Sequence, residues 1–94
     1  MIIEHAHLTI KGDLHEEFVE AINKGIHYVK DANGYEGYEL IQNIENNNQF
    51  LLMIAWTTME DHTEHFVKSE AFAKWEELIS PYFSHAPTVL HYHF

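Results

Sequence analysis

The sequence predicts an α+β domain in which two helices cover one face of an antiparallel sheet. Three observations support this prediction. Seven consecutive apolar residues, Phe50–Trp56, form a run of strand length. Segments with the apolar period of a helix lie before and after that run, and strand-like segments begin and end the chain. The expected order is therefore strand, helix, strand, strand, helix, strand, in one domain of residues 1–94.

The first strand is predicted over Ile2–Ile10, where apolar residues alternate with histidine and threonine and the acidic Glu4 interrupts the apolar side. A glycine–aspartate turn follows. Asp13 and Glu16 have the spacing of a capping box, which predicts a helix over Leu14–Lys30.

The predicted first helix has one apolar stripe, formed by Phe18, Ile22, Ile26 and Val29. Gly25 lies inside this helix at a cost of about 1 kcal/mol relative to alanine, which close packing on the sheet would explain. Asn33-Gly34 is expected to end the helix, because both residues tolerate the left-handed conformation.

The second strand is predicted over Tyr35–Ile44, and the polar stretch 45–49 predicts a hairpin to Phe50–Trp56. Alternation places three of its residues on one face and two on the other: Tyr38, Leu40 and Ile44 against Tyr35 and Ile41.

Two helical segments follow the central strand. Thr58, three residues before Asp61, is expected to cap a segment with Met59, His62 and Phe66 on one stripe. Ser69 is a second expected cap, before a stripe of Phe72, Trp75 and Leu78/Ile79. Pro81 closes this helix, and Pro87 precedes a last strand over Thr88–Phe94.

This order of elements is that of the ferredoxin-like fold, β-α-β-β-α-β, with both helices on one face of the sheet. The run Phe50–Trp56 is apolar at odd- and even-numbered positions, so both faces of this strand are apolar. Leu51, Met53 and Ala55 would then point away from the helices. A small chain rarely exposes an apolar patch of that size. We therefore expect a second copy to cover it in a two-fold homodimer.

Fifteen acidic and five basic residues give a net charge of −10, which argues against binding nucleic acid or an anionic membrane. No cysteine is present to act as a nucleophile or metal ligand. No leader-like segment and no apolar run of ~18 residues are recognised, so a cytoplasmic location is expected.

The stretch Trp56–Phe72 reads W-x-x-x-E-D-H-x-x-x-F-x-x-S-x-A-F and resembles the antibiotic biosynthesis monooxygenase family. Further similarity lies in the residues 34–38, GYEGY, and in Tyr82-Phe83 before the last strand. The resemblance covers essentially the whole chain. It implies a dimeric α+β barrel, with a pocket in each subunit between the helices and the sheet.

Members of that family include oxygenases that act on polycyclic phenols or quinols without metal or flavin, heme-degrading enzymes and small-molecule isomerases. The heme-degrading branch uses an asparagine, a tryptophan and a histidine at positions that match Ala6, Phe66 and Glu76. All three differ here, so heme degradation is not expected. The resemblance instead implies a cofactor-independent monooxygenase acting on a small aromatic or quinol-type molecule.

His62 shares a stripe with Phe66 and is expected to point into the pocket, where a neutral imidazole suits proton abstraction from a phenol or enol. His65 is the second candidate for the catalytic base, although it lies further round the helix. Either histidine can also be a structural residue bonded to a carbonyl or to water.

The expected substrate pocket combines aromatic walls with two polar groups: Trp56, Phe66, Phe72, Trp75, Tyr38 and Glu76. Core packing explains the same aromatic residues, and helical spacing alone favours that explanation. Tyr38 is one of several tyrosines that could donate a phenol proton to an oxyanion, and Glu76 could act as a base if it is partly desolvated.

No metal is expected. The weak candidate is a group of four imidazoles, because the first and last strands are predicted neighbours: His5, His7, His91 and His93. The pair His62 and His65 lacks a third ligand. Two further hypotheses for the whole protein remain, namely a non-catalytic dimeric module that binds a small molecule, and an isomerase or heme-related member of the same superfamily.

Overall fold

The computed structural model describes all residues, 1–94, and contains the predicted order of elements. These are β1 (Ile2–Thr9), α1 (His15–Gly25), the short α2 (His27–Lys30), β2 (Tyr35–Gln42), β3 (Gln49–Trp56), a π-helix (Asp61–Phe66), α3 (Glu70–Ile79), a 3₁₀ turn (Ser80–Tyr82) and β4 (Thr88–His93). All four strands pair antiparallel in the order β2-β3-β1-β4. The ferredoxin-like α+β fold is therefore confirmed.

The core lies between the sheet and the helices. Even-numbered residues of the two central strands are buried on that side: Ala6 and Leu8 of β1, and Phe50, Leu52, Ile54 and Trp56 of β3. Phe18 and Ile22 of α1 and Trp75 and Ile79 of α3 complete the core from above. Burying each large side chain contributes about 1.5–3 kcal/mol, so this layer is the main source of stability.

The opposite face of the sheet is not covered by the chain. Leu51, Met53 and Ala55 of β3 lie on this outer face and are partly exposed, as the alternation predicts. Leu90 and Tyr92 of β4 extend the same surface and are 45% and 47% exposed. We call these five residues, with Ile3 and Ile41, the outer apolar face.

The predicted helix over Leu14–Lys30 is divided in two at Ile26. Close packing of Gly25 on the sheet was expected, but the structure packs Gly25 against α3. A Cβ atom at this position would lie 3.0 Å from a methyl of Leu78 and 3.2 Å from the indole ring of Trp75. Glycine here allows α1 and α3 to approach closely, at the point where α1 ends.

The predicted capping box at the start of α1 is wrong. Asp13 has a φ of 64°, in the left-handed region of a tight turn, so its side chain is not positioned to accept from the first turn of the helix. Leu14 occupies the cap position and makes no side-chain hydrogen bond.

The second strand differs from its prediction at both ends. It stops at Gln42, and Ile44 is 94% exposed in the hairpin, where Asn43 Oδ1 accepts hydrogen bonds from the backbone of the turn. An irregularity between Tyr35 and Gly37 shifts the register by one residue. Tyr35 therefore faces the helices, whereas Ile41 faces outward.

The segment after β3 begins as predicted. Thr58 Oγ1 accepts from the Asp61 amide at 3.2 Å, and Asp61 Oδ2 accepts from the Thr58 amide at 3.3 Å. The segment then winds as a π-helix, in which the Val67 amide donates to the carbonyl of His62. His62 is buried in this turn, whereas Met59, which precedes the π-helix, is 43% exposed and does not join the buried stripe.

The second half of this region follows its prediction more closely. Ser69 caps α3 by accepting from the Phe72 amide at 3.1 Å. Trp75 and Ile79 are buried, Phe72 is partly buried and Leu78 is 39% exposed. None of the helices combines the length and apolarity that crossing a bilayer requires.

Replacing Gly34 with alanine is expected to destabilise the protein by about 2 kcal/mol or more. Gly34 has a φ of 84°, and a Cβ atom there would overlap the carboxylate of Asp61. Gly12→Ala is the matched control, because a Cβ atom at Gly12 meets nothing within 4 Å. Urea denaturation measures both variants, and equal stability of the two would contradict this account of the Gly34 turn.

Candidate functional site

A cavity of about 200 Å³ lies between the sheet and the helices. Its floor is formed by strand residues and by the loop before β4: Glu4, Ala6, Leu8, Leu52, Ile54, Pro87 and Val89. Its roof is formed by the π-helix, α3 and the following turn: His62, Phe66, Phe72, Trp75, Glu76, Ile79 and Phe83. Three larger hollows, of about 260, 390 and 420 Å³, lie elsewhere on the protein, and none is lined by a buried titratable side chain.

Glu4 is the one carboxyl group in the buried layer of the protein. It lies on the helix-facing side of β1, between Ile54 of β3 and His91 of β4, and is 6% exposed. Carboxylates are rarely buried to this degree unless their oxygens have hydrogen-bond partners.

Two side chains converge on one oxygen of Glu4. The indole Nε1–H of Trp56 donates to Glu4 Oε1 at 3.0 Å, and His62 Nε2 lies 3.2 Å from the same atom. The rings of Trp56 and His62 also stack, with an interplanar angle of 17°. Trp56 thus holds both the carboxyl and the imidazole in place.

Burial shifts both titratable groups toward their neutral forms. Desolvation raises the pKa of Glu4 from 4.5 to about 7, although the hydrogen bond from Trp56 opposes the shift. Desolvation, with a smaller contribution from His91, lowers the pKa of His62 from 6.5 to about 4. The contact has the geometry of an ion pair, but the cost of burying two charges favours a neutral imidazole beside a carboxyl that titrates near neutrality.

His91 extends this arrangement toward the edge of the sheet. It is paired with Glu4 across β1 and β4, so its side chain also faces the helices. His91 Nε2 lies 2.9 Å from His62 Nδ1, which is hydrogen-bonding distance. We refer to Glu4, Trp56, His62 and His91 as the Glu4 network.

Four of the six residues predicted for the substrate pocket line the cavity, namely Phe66, Phe72, Trp75 and Glu76. Trp56 is completely buried behind His62 and does not line it. Tyr38 lies away from the cavity on β2, where the ammonium group of Lys30 is 5.4 Å from its ring centroid.

The two predicted catalytic histidines are in different environments. His62 faces the cavity and joins the Glu4 network. The side chain of His65 is 66% exposed, lies outside the cavity and has its Nδ1 atom 3.4 Å from Asp61 Oδ1. The π-helix separates them, because residues three apart do not share a face in its wider turn.

The four histidines that were candidates for a metal site do not come together. β1 and β4 are neighbours as predicted, but the register places Glu4 opposite His91 and Ile2 opposite His93. His91 and His93 therefore share the helix-facing side with Glu4, whereas His5 and His7 lie on the outer face. No group of three or more histidine, aspartate or glutamate side chains is arranged to hold a metal ion.

Sequence reasoning missed Glu4 as a site residue, and it named His91 only as a weak candidate for a metal ligand. The signal for Glu4 was present, since an acidic residue at an apolar position of a strand requires a buried partner. His91 could not be assigned in the same way, because its role depends on the register between the first and last strands. Ala6, Phe66 and Glu76, the three positions matched to the heme-degrading branch, all line the cavity.

The two shifted pKa values predict opposite pH dependences of stability. The raised pKa of Glu4 means that its contribution is fully present below pH 4.5 and is lost as the pH rises to about 7. The lowered pKa of His62 means that its contribution is present above pH 6.5 and is lost as the pH falls to about 4. In the wild-type protein the two effects oppose each other between these values.

Single substitutions should separate these effects. Glu4→Gln is expected to leave a protein whose free energy of unfolding rises with pH between 4 and 6.5, and His62→Gln one whose free energy falls between 4.5 and 7. Each change should be about 3 kcal/mol or less, at 1.36 kcal/mol per pKa unit. Urea denaturation at a series of pH values measures them, and parallel profiles for the two variants would refute the pKa assignments.

Comparison with known proteins supports a single family. The sequence model of the antibiotic biosynthesis monooxygenase family matches residues 1–78. The uncharacterized protein YczJ of Bacillus subtilis is 34% identical over 92 residues, which cover 98% of this chain and 97% of YczJ.

Solved structures give the same result for the fold. A solved structure from Bordetella bronchiseptica, assigned to the antibiotic biosynthesis monooxygenases, has a TM-score of 0.96 at 25% identity. The match covers 99% of this chain and 95% of the Bordetella chain. SnoaB, a cofactor-independent oxygenase from Streptomyces nogalater, has a TM-score of 0.85 at 11% identity, covers 99% and 91%, and shares the fold. The chain belongs to the antibiotic biosynthesis monooxygenase family.

Proposed function

We propose that this protein is a monooxygenase that acts, without metal or flavin, on a small phenol or quinol held in the cavity. The observation that carries the proposal is the buried carboxyl of Glu4 at the floor of an apolar cavity, with a pKa raised to about 7. A general base is most effective when its pKa lies near the working pH. Membership of the family supports this type of reaction, and SnoaB provides an example of cofactor-independent oxygenation on the same fold.

The reaction requires a base and a substrate anion that can reduce oxygen. Ionised Glu4 takes the proton of the substrate hydroxyl, and the resulting anion transfers one electron to O₂. The radical and superoxide combine to form a C–O bond, which gives a peroxide anion. Glu4 returns its proton to the peroxide, and loss of water leaves a carbonyl at the oxidised carbon. One O₂ is consumed, one oxygen atom enters the product and the other leaves as water.

Glu4 is a better base for this reaction than His62, which was the leading candidate from the sequence. The lowered pKa of His62 weakens its imidazole as a proton acceptor. In the proposed mechanism His62 and Trp56 orient the carboxyl, which leaves the second oxygen of Glu4 for the substrate. Both contacts use Oε1, so Oε2 carries out the proton transfer.

The lining of the cavity supports a neutral, flat substrate. Aromatic rings of Phe66, Phe72 and Trp75 form one wall, and no lysine or arginine lines the cavity to bind a carboxylate or phosphate. An engineered apolar cavity of ~150 Å³ binds benzene. A cavity of about 200 Å³ therefore suits a molecule of one or two rings more than a larger polycycle.

The proposal includes a homodimer formed through the outer apolar face. Leu51, Met53 and Ala55 lie at the centre of this face, and Leu90 and Tyr92 extend it. An apolar surface of this kind is unusual on a monomer with a net charge of −10. The same face of a second copy, related by two-fold symmetry, would bury this surface.

Glu4→Gln is expected to reduce oxygen uptake with small hydroquinones and naphthols by about 10²-fold or more, because the amide cannot accept the proton. In the wild-type protein the rate should rise with pH through about 7 and then level off, as Glu4 ionises. An oxygen electrode measures both effects. Glu17→Gln, the same change at an exposed position of α1, should have the wild-type rate.

A wild-type rate for Glu4→Gln would rule out Glu4 as the base. If aromatic ligands bind but no oxygen is consumed, the non-catalytic binding module is the better description. Product analysis distinguishes the remaining alternative, since an isomerase leaves the substrate composition unchanged whereas a monooxygenase adds one oxygen atom.

Met53→Glu is expected to produce a monomer, because it places a charge at the centre of the outer apolar face. Sedimentation equilibrium should give twice the chain mass of 11.1 kDa for the wild-type protein and the chain mass for the variant. Met59→Glu is the matched control, since Met59 is exposed on the helical side. A wild-type protein of 11.1 kDa at micromolar concentration would contradict the proposed dimer.

A further inference from the structure

We propose that His62 and His91 form a proton path between Glu4 and the edge of the sheet, and that His91 acts as a positioning residue that sets the tautomer of His62. The inference rests on the proposed function, because it assigns a role to the groups behind the base. The route leaves the cavity lining at His62 and continues to His91, which does not line the cavity.

The path is continuous in its distances. Glu4 Oε1 lies 3.2 Å from His62 Nε2, and His62 Nδ1 lies 2.9 Å from His91 Nε2. The remaining ring nitrogen of His91, Nδ1, makes no hydrogen bond within the chain. His91 is partly exposed on β4, which is an edge strand of the sheet. The three side chains therefore lead from the buried carboxyl to the surface in two hydrogen bonds.

The hydrogen bonds can be arranged in two directions, and each direction matches one protonation state of Glu4. When Glu4 is ionised, His91 Nε2–H donates to His62 Nδ1, and His62 Nε2–H donates to the carboxylate. When Glu4 is protonated, its hydroxyl donates to His62 Nε2, His62 Nδ1–H donates to His91 Nε2, and His91 Nδ1–H faces water. One proton shifted along each bond, with one released to water from His91 Nδ1, converts the second state into the first.

Neither state contains a charged imidazole. This agrees with the environment of His62, where burial strongly disfavours the imidazolium ion. Trp56 donates to Glu4 Oε1 in both states and stacks on His62, so the heavy atoms need not move.

The other groups around Glu4 do not offer an equivalent route. β3 contributes the uncharged Trp56, and α1 places no titratable side chain in the cavity. Glu76 of α3 lines the same cavity, so a proton that left by this residue would have to cross the space that bound substrate fills. A molecule that binds substrate while Glu4 is protonated would be inactive, unless the proton leaves through His62 and His91.

The test is ¹⁵N spectroscopy of the histidine rings in the substrate-free wild-type protein between pH 5.5 and 8.5. Protonated and unprotonated ring nitrogens differ strongly in chemical shift, so the tautomer of each ring can be read directly. We expect His62 to change from the Nδ1–H to the Nε2–H form as the pH rises, and His91 to make the same change with the same midpoint. Glu4→Gln should abolish the pH dependence of both.

A single unchanging tautomer at either ring, or changes with different midpoints, would overturn the proposal. His27 serves as the internal control for the tautomer, because its Nδ1 atom lies 3.0 Å from the Lys24 carbonyl oxygen, which can only accept a hydrogen bond, so its neutral ring should keep the Nδ1–H form. The experiment needs no substrate. Its outcome is therefore independent of oxygen uptake, so failure of the proton path and failure of the monooxygenase proposal can be told apart.

Discussion

The burial of one carboxyl group on the apolar side of the sheet is the constraint on which the rest of the site depends. Glu4 lies on the helix-facing side of β1 between the apolar Ile2 and Ala6, and removing it from water raises its pKa to about 7. Two contacts to Oε1, from Trp56 and His62, offset part of the free-energy cost of burying this carboxyl. An apolar residue at this position would give a more stable protein, and for this reason we propose a catalytic role for the carboxyl.

The fold explains how these side chains meet. β1 is central in the sheet, which places Trp56 of β3 on one side of Glu4 and His91 of β4 on the other. The π-helix after β3 then brings His62 above them, and its wide turn directs His62 and Phe66 toward the sheet. π-Helical turns are uncommon and often occur at functional sites. Here the turn supplies His62, which contacts both Glu4 and His91.

Much of the fold followed from the sequence, because hydrophobic period and turn chemistry are local properties. The run Phe50–Trp56 and the Ser69 cap appear in the structure as expected. Gly34 takes the expected left-handed conformation, but the helix already ends at Lys30, with Asp31 as its cap. The errors arose where the backbone departs from a regular period: the bulge that turns Tyr35 inward, the break of the first helix at Ile26 and the exposure of Met59 just before the π-helix. The site was predicted in part. Its aromatic wall followed from helical spacing, whereas Glu4 and His91 meet only through strand register, which the sequence alone does not determine.

The pKa of Glu4 is the quantity that tests this account most directly. The ¹³C resonance of its side-chain carboxyl, assigned by comparison with Glu4→Gln, can be followed between pH 3 and 9. A midpoint near 7 is the result that the buried position predicts. A midpoint in the ordinary range of 4 to 5 would mean that water reaches the carboxyl freely, and Glu4 would then be neither the base nor the centre of the site.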